Sequence, residues 1–328
     1  MIDIFAGAGG LSTGLAAVGF EAVAAIEIDE NSASSYAANH PGVVVSAADI
    51  ATISLTAYTG VEMLAGGPPC QPFSIGGKRL AEDDERNGFP QFLRAVREIK
   101  PKAFVLENVA GAVSGVRRTY YEGLLAELSN SYKGYAIAWK VLNAADYGVP
   151  QKRQRVVAVG ILGSTPYRFP DATHGEAMAR PWLTAGSVLS SDLSEGAPNS
   201  AIVTYAKRPD LRPDPFDGHV YNGGGRPIDL ERPAPTLLAS MGGNKTPWLD
   251  TLGVVRDYHS HLRQGGTPRS GIVPGARRIT VAEATRLQTF PVGTIFCGAR
   301  SSQYRQVGNA VPPLLASVIG RSLIEQVF

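Results

Sequence analysis

Alternation is what most limits the folds open to this chain. Over about the first 165 residues, short strand-like runs and helical patterns take turns. The strand-like runs are Ile2–Phe5, Ala22–Glu27, Val43–Ala47, Glu62–Ala65, Ala103–Glu107, Tyr135–Leu142 and Val156–Ile161. Helical patterns fall between them, at Leu11–Val18, Asn31–Asn39, Phe89–Ile99 and Tyr120–Ser129. Such a rhythm buries a mostly parallel sheet between helices, so the expected class is α/β with a doubly wound sheet. Ligands then belong at the carboxyl ends of the strands. From about Tyr167 the pattern changes. Residues 166–278 are rich in Pro, Gly, Asp and Arg, with short broken strands such as Ala201–Tyr205 and Thr236–Ala239, which predicts a smaller, irregular β-rich domain. Regular structure returns at Thr280-Val281-Ala282-Glu283, a capping box opening a helix through Leu287. Pro312-Pro313 starts a last amphipathic helix running to about Val327.

The chain has 328 residues, 44% hydrophobic and 18% charged, enough for one large domain or two ordinary ones. No apolar run approaches the roughly 20 residues of a membrane span, and no signal-type core precedes Ile2-Asp3-Ile4-Phe5-Ala6-Gly7. Two cysteines, Cys70 and Cys297, point away from a disulfide framework and towards a reducing cytoplasm. The net charge of +2 is unevenly spread. Residues 1–150 carry 11 basic and 16 acidic side chains, residues 151–328 carry 20 and 13, and 17 of those 20 basic residues are Arg. Arginine favours planar, bidentate contacts to phosphate and guanine. His259 and His261 lack further ligands nearby in the chain, and no metal is expected.

Cys70 stands in Gly66-Gly67-Pro68-Pro69-Cys70-Gln71-Pro72-Phe73-Ser74, directly after the apolar run Val61-Glu62-Met63-Leu64-Ala65. Proline fixes φ and removes backbone donors, so a stiff loop at a strand end aims this thiol. That is where a nucleophile is wanted. Asp3-Ile4-Phe5-Ala6-Gly7-Ala8-Gly9-Gly10-Leu11 is a strand, a glycine turn and a helix start. Glycines let a ligand approach the backbone, and a helix start favours an anionic group. Glu27 ends the second strand and can take both ribose hydroxyls, while Asp49 follows the third, within reach of an adenine amine. Together they describe a site for an adenosine-bearing ligand. Ser12 stands where a dinucleotide fingerprint needs its third glycine, which leaves a nicotinamide cofactor as the weaker of two readings beside a ligand without phosphates, such as S-adenosylmethionine.

Glu107 ends another core strand in Val105-Leu106-Glu107-Asn108-Val109. Gln151-Lys152-Arg153-Gln154-Arg155 leads into the next, and alternation places Gln151, Arg153 and Arg155 on one face. A thiol, a carboxyl and two guanidiniums at one sheet edge can attack and polarise an electron-poor ring. With these motifs the chain closely resembles the C5-cytosine DNA methyltransferases of prokaryotic restriction-modification systems. The resemblance runs from Phe5-Ala6-Gly7-Ala8-Gly9-Gly10 through Pro68–Ser74, Glu107-Asn108-Val109 and Gln151–Arg155 to Arg278-Ile279-Thr280, Arg286–Pro291 and Gln306-Val307-Gly308-Asn309-Ala310-Val311-Pro312-Pro313, in the family's order.

That resemblance implies methyl transfer from S-adenosylmethionine, leaving S-adenosylhomocysteine, to C5 of a cytosine flipped out of duplex DNA. Cys70 would add to C6, Glu107 would protonate or hydrogen-bond N3, and Arg153 and Arg155 would hold the base carbonyl. The cofactor would lie against Phe5, Ala6, Gly7, Gly9, Gly10, Leu11, Glu27, Ile28, Asp49, Ile50, Pro69, Phe89, Asn309 and Ala310. DNA would meet Gln71, Ser74, Gly76, Lys78 and Arg79 in a closing loop. It would also meet Thr236, Leu237, Gly242, Gly243, Asn244 and Lys245 in a recognition segment, with Arg263, Arg269, Arg277 and Arg278 as further candidates. The resemblance divides the chain into a catalytic domain at 1–175 and 300–328, a target-recognition domain at 176–276 and a hinge at 277–299. It suggests a monomer that is functionally paired with an endonuclease. A tRNA cytosine-C5 methyltransferase on the same fold, a catalytically silent DNA-binding protein and a nicotinamide oxidoreductase are the alternatives.

Overall fold

The computed structural model describes residues 1–69, 87–189 and 199–328. Among them seven strands form one sheet in the order β3-β2-β1-β4-β5-β7-β6. These are β1 (Ile2–Ile4), β2 (Ala24–Glu27), β3 (Val44–Ala47), β4 (Met63–Gly66), β5 (Ala103–Val109), β6 (Tyr135–Asn143) and β7 (Gln154–Leu162). The first five run parallel, and β7 lies antiparallel between β5 and β6. The helices that follow the strands are α1 (Gly10–Ala16), α2 (Glu30–Asn39), α3 (Phe89–Ile99) and α4 (Val116–Ser129). The doubly wound sheet expected from the alternation is therefore present, each strand within a few residues of its predicted place.

The sheet is buried on both faces because its strands are apolar at consecutive positions. Leu64, Phe104, Leu106, Val156 and Ala158 point to one side, where Phe92, Val96 and Ile99 of α3 and Tyr121 and Leu128 of α4 cover them. Met63, Ala65, Val105, Val157 and Val159 point to the other, under Leu11 and Leu15 of α1 and Leu315, Ile319 and Leu323 of α8 (Pro313–Val327). Each full burial of such a side chain contributes on the order of 2 kcal/mol. The chain winds outward from β1 to β3 and then returns to β4 on the other side of β1. This is a switch point, so a crevice opens where the ends of β1 and β4 diverge.

The second region builds two small antiparallel ribbons, β8 (Tyr205–Asp210) with β9 (His219–Tyr221) and β10 (Trp248–Asp250) with β11 (Ala276–Arg278). Ala201–Val203 and Thr236–Leu238 are not strands as expected. Thr204 makes an isolated bridge to Ile272 and Ala234 one to Gln151, and the flanking residues bond outside any ladder, as Leu237 does to Gln151 and Arg153. Two helices were not expected from the sequence, α5 (Val254–Arg263), which lies in a Pro- and Gly-rich region, and α7 (Arg300–Asn309), which is rich in charged and polar residues. The capped helix α6 (Val281–Leu287) is present, with both halves of its Thr280–Glu283 capping box formed. One core joins Ile228, Leu237 and Leu249 to Ala284 and Leu287 of α6 and to Tyr304 and Val307 of α7.

By length and composition alone, Arg300–Val327 is long and apolar enough to cross a membrane, although it holds no unbroken apolar run of about 20 residues. In this protein it is two helices, α7 and α8, with most of that stretch buried inside the fold.

Candidate active site

The turn after β1 is built by glycine. Gly9 has φ +86°, and a Cβ on Gly10 would lie 2.4 Å from the Val311 carbonyl oxygen. Phe5 also takes a positive φ, 55°, a conformation that costs a bulky residue energy and turns the chain sharply at the strand end. Glu27, from the neighbouring strand end, ties this turn down. Its Oε2 accepts from the Gly7 N–H and its Oε1 from the Asp29 N–H, both at 2.8 Å. Each oxygen keeps acceptor capacity for a hydroxyl.

Beside Glu27 the surface is apolar and bare. Ile28 is 66% exposed, Pro69 is exposed and Phe5 is half-buried. Phe5 and Pro69 close on Gly88 from the two strand ends, since a Cβ there would lie 3.0 Å and 2.7 Å from them. An acidic group with spare acceptors next to an open apolar slot fits an adenosine. Asp49 is exposed and spends Oδ1 on the Ala51 N–H, 2.9 Å away. Ala310 is half-buried and Asn309 exposed, and Ala310 with Val311 covers Gly10. Leu11, Ile50 and Phe89 have side chains packed in the two sheet cores, and Ala6 is buried beside Ala25 and Tyr36, so these four support the slot from beneath.

Under the turn lies a buried polar chain that the sequence reading missed. Ser12 Oγ donates to Asp3 Oδ2 at 2.5 Å, and the Tyr36 hydroxyl donates to Ser12 Oγ at 2.7 Å. Burial pushes the Asp3 carboxyl up to about 7, against the Ser12 bond and with help from Glu27. An acid whose folded pKa exceeds its unfolded one stabilises the fold below the unfolded value. That contribution is lost as pH rises through the folded value. Wild-type stability should therefore fall between pH 4.5 and pH 8 by about 3 kcal/mol through this group alone. Asp3→Asn should flatten that slope, as urea unfolding at the two pH values would show. An unchanged slope would mean that Asp3 does not titrate there.

On the other side of the crevice, Glu107 is buried at the end of β5. Arg155 stands opposite Val109, and on paired strands that makes it a diagonal neighbour of Glu107. Its Nε lies 2.7 Å from Glu107 Oε1. The pair is ionic by distance, although Oε1 receives no well-aligned hydrogen bond. Burial raises the Glu107 carboxyl above its ordinary value and outweighs the opposing pull of Arg155 and Arg153. Gly67 faces this carboxyl, since a Cβ there would lie 2.9 Å from Oε2. Asn108 Nδ2, also buried, donates to the Pro68 carbonyl at 2.8 Å and so fastens the loop that leads to Cys70 onto the strand that carries Glu107. The position of Asn108 directly after Glu107 was the available signal. Cys70 itself, with Gln71, Ser74, Gly76, Lys78 and Arg79, lies outside the described residues.

Arg153 is placed differently from Arg155. Only Arg155 belongs to β7. Arg153 precedes that strand, and its Nη1 and Nη2 donate to the carbonyls of Leu237 (2.9 Å) and Gly308 (2.7 Å). Burial and the charge of Arg155 push this guanidinium down to about 9. Each terminal nitrogen thus gives one of its two N–H groups to a backbone carbonyl, which ties Arg153 to the fold, while Arg155 is the guanidinium beside Glu107. Leu237 likewise departs from its expected DNA contact. Its side chain is fully buried, its N–H donates to Gln151 Oε1, and its carbonyl takes Arg153. Thr236 is half-buried and donates to the Lys152 carbonyl at 2.6 Å. By contrast, Gly243, Asn244 and Lys245 are exposed, and no atom would crowd a side chain at Gly242 or Gly243.

The comparisons decide the family. The family model for C-5 cytosine-specific DNA methylases matches residues 1–203 and 242–325. This chain is a member of that family. It is similar to the type II methyltransferase M.NgoMIV of Neisseria gonorrhoeae, with 33% identity over 99% of this chain and 96% of the relative. It is also similar to M1.HphI of Haemophilus parahaemolyticus, with 34% identity over 99% and 86%. In fold it matches a protein described as a DNA modification methyltransferase of an E. coli prophage (TM-score 0.68, 23% identity, 99% of this chain and 98% of that one). Spodoptera frugiperda DNMT2 matches too (TM-score 0.70, 17% identity, 98% and 98%). The chain is thus a DNA (cytosine-5) methyltransferase, and the family implies S-adenosylmethionine as methyl donor.

Within this methylase, two arginines expected near DNA are engaged by the protein itself. Arg277 forms a bidentate pair with Glu283, at 2.8 and 2.6 Å, which braces the α6 cap. Arg278 is buried, donating to the Ala201 and Thr246 carbonyls. Sequence alone shows an arginine pair, but in β11 the two alternate, so Arg278 is buried in the fold while Arg277 stays partly exposed on its pair with Glu283. His259 and His261 bond the carbonyls of Arg212 and Thr267, so both rings hold loops in place.

Proposed function

We propose that this methylase modifies one cytosine in a specific duplex DNA site, flipping the base out and attacking C6 with Cys70, as the modification half of a restriction system in a prokaryotic cytoplasm. The observation that carries the reading is the buried Glu107–Arg155 pair. It sits at the strand end to which Asn108 fastens the Pro68-Pro69 loop, one residue before Cys70. Cytosine C5 is a poor nucleophile. Addition of the Cys70 thiolate to C6 pushes an electron pair into the ring and makes C5 enamine-like. Glu107, whose carboxyl burial raises above its ordinary value, donates in its protonated form to N3 and takes up the charge displaced there. Arg155 holds Glu107 in place and offers N–H donors to the base carbonyl. When bound, S-adenosylmethionine supplies the electrophilic methyl group that C5 accepts. Loss of the C5 proton and expulsion of Cys70 then restore the aromatic ring.

Glu27, with the bare apolar faces of Ile28, Phe5 and Pro69, would hold the adenosine of that cofactor. Asn244 and Lys245, exposed on a loop of glycines, would meet the DNA groove. Flipping costs a few kcal/mol, which the pocket and the backbone contacts must return. Bisulfite sequencing of plasmid from cells expressing the protein should show one cytosine protected in one recurring sequence. Duplex carrying 5-fluorocytosine at that position should trap the protein covalently, because fluorine cannot leave as a proton does. An active enzyme that never forms this adduct would exclude addition at C6.

A further inference from the structure

One buried cation joins the recognition side of this methylase to its cofactor side. Residues 150–153 and 234–237 run edge to edge. The Ala234 N–H donates to the Pro150 carbonyl, the Lys152 N–H to the Ala234 carbonyl, and Gln151 accepts from the Leu237 N–H. Arg153 lies at the end of this seam, fully buried, with one terminal nitrogen on the Leu237 carbonyl and the other on Gly308. Gly308 belongs to α7, and a Cβ there would lie 2.4 Å from the Leu238 carbonyl oxygen, so the two backbones touch without side chains between them. Two and three residues further on, Ala310 and Val311 press on Gly10 in the cofactor turn just as closely, a Cβ on Gly10 falling 3.0 Å from Ala310 Cβ and 2.4 Å from the Val311 oxygen.

We propose that Arg153 is a positioning residue that couples DNA binding at the recognition segment to cofactor binding at the glycine turn, by holding the Leu237 and Gly308 carbonyls on one guanidinium. The inference rests on the function proposed above and adds a route within it. Close-packed backbones transmit displacements because they have no slack to absorb them. The charge of Arg153 strengthens both carbonyl bonds, and a shift of either carbonyl leaves a buried cation half-solvated by the protein. The fork geometry matters, since a lysine ammonium is a point charge that cannot span two carbonyls in this way. Linkage makes the effect reciprocal: whatever DNA does to cofactor affinity, cofactor does to DNA affinity.

The test is calorimetric binding of S-adenosylhomocysteine, with and without a duplex carrying the methylated site, to the wild type, Arg153→Lys and Gly308→Ala. Wild type should bind the cofactor product at least about 5-fold more tightly with DNA. That ratio should drop below about 2 in Arg153→Lys, whose cation reaches one carbonyl, and in Gly308→Ala, whose methyl group forces the two segments apart. A change in stability alone alters both affinities of a variant without altering their ratio. A wild-type ratio near 1 overturns the proposal whether or not the variants fold, and so does an unchanged ratio in folded Arg153→Lys. If the wild type leaves plasmid DNA unmethylated, the proposed function fails and the coupling falls with it. Methylation with no coupling sinks the coupling alone.

Discussion

Cys70→Ala should lower methyl transfer by roughly 10⁴-fold or more while DNA and cofactor affinities stay within about 2-fold of wild type. The size follows from the ring chemistry. Without a nucleophile at C6, C5 has no enamine character, and neither Glu107 nor Arg155 can create it. Binding should survive because removing one sulfur leaves the backbone of its loop and the remaining proposed contacts in place. The proposed cofactor surface takes in Glu27, Ile28 and Phe5, and the proposed DNA surface the exposed loop through Asn244 and Lys245. Tritium transfer to duplex and gel-shift titration on the same preparation would separate the two effects. Transfer at wild-type rate would remove Cys70 from the mechanism. A parallel loss of binding would make it a structural residue.

Glu107→Gln should cost about 10²–10³-fold in kcat, with KM for DNA little changed. Glutamine fills the same buried place and can still offer an N–H, but it has no proton to give. The pH profile is the sharper readout. Burial holds the Glu107 carboxyl above the ordinary glutamate range, against Arg155 and Arg153. The active form is the protonated one, so wild-type kcat should fall as pH rises through that elevated value, and the falling limb should vanish in Glu107→Gln. A limb that persists in the variant would belong to another group. Removal of Arg155 should shift the limb to higher pH, because the guanidinium is what opposes protonation.

Much of this site is legible in the chain because strand-end positions are local facts. Glu27, Glu107 and the Gly-Gly-Pro-Pro loop each close a short apolar run, and strands of a doubly wound sheet deliver such residues to one edge. Helix α5 does carry a helical stripe at Val255, Tyr258 and Leu262, but inside a Pro- and Gly-rich region that reads as loop, whereas α7 was not legible, since its polar positions carry little apolar signal and its burial depends on partners far away in the chain. The arginines misled for the same reason. Arg153, Arg155, Arg277 and Arg278 look alike in sequence, yet one pairs with a buried carboxylate, one braces a helix cap and two hold carbonyls.

Periodicity, proline stiffness and strand-end placement act within a few residues, so the fold class, the glycine turn and the strand-end position of Glu107 could be read from the chain alone. Long-range packing settled which guanidinium faces Glu107, that Asn108 fastens the loop before Cys70, and that Leu237 docks on Gln151 and Arg153. A hydrogen-bonding group takes whichever partner the packed backbone brings within about 3 Å, and that choice is made between residues separated by up to 155 positions in the chain.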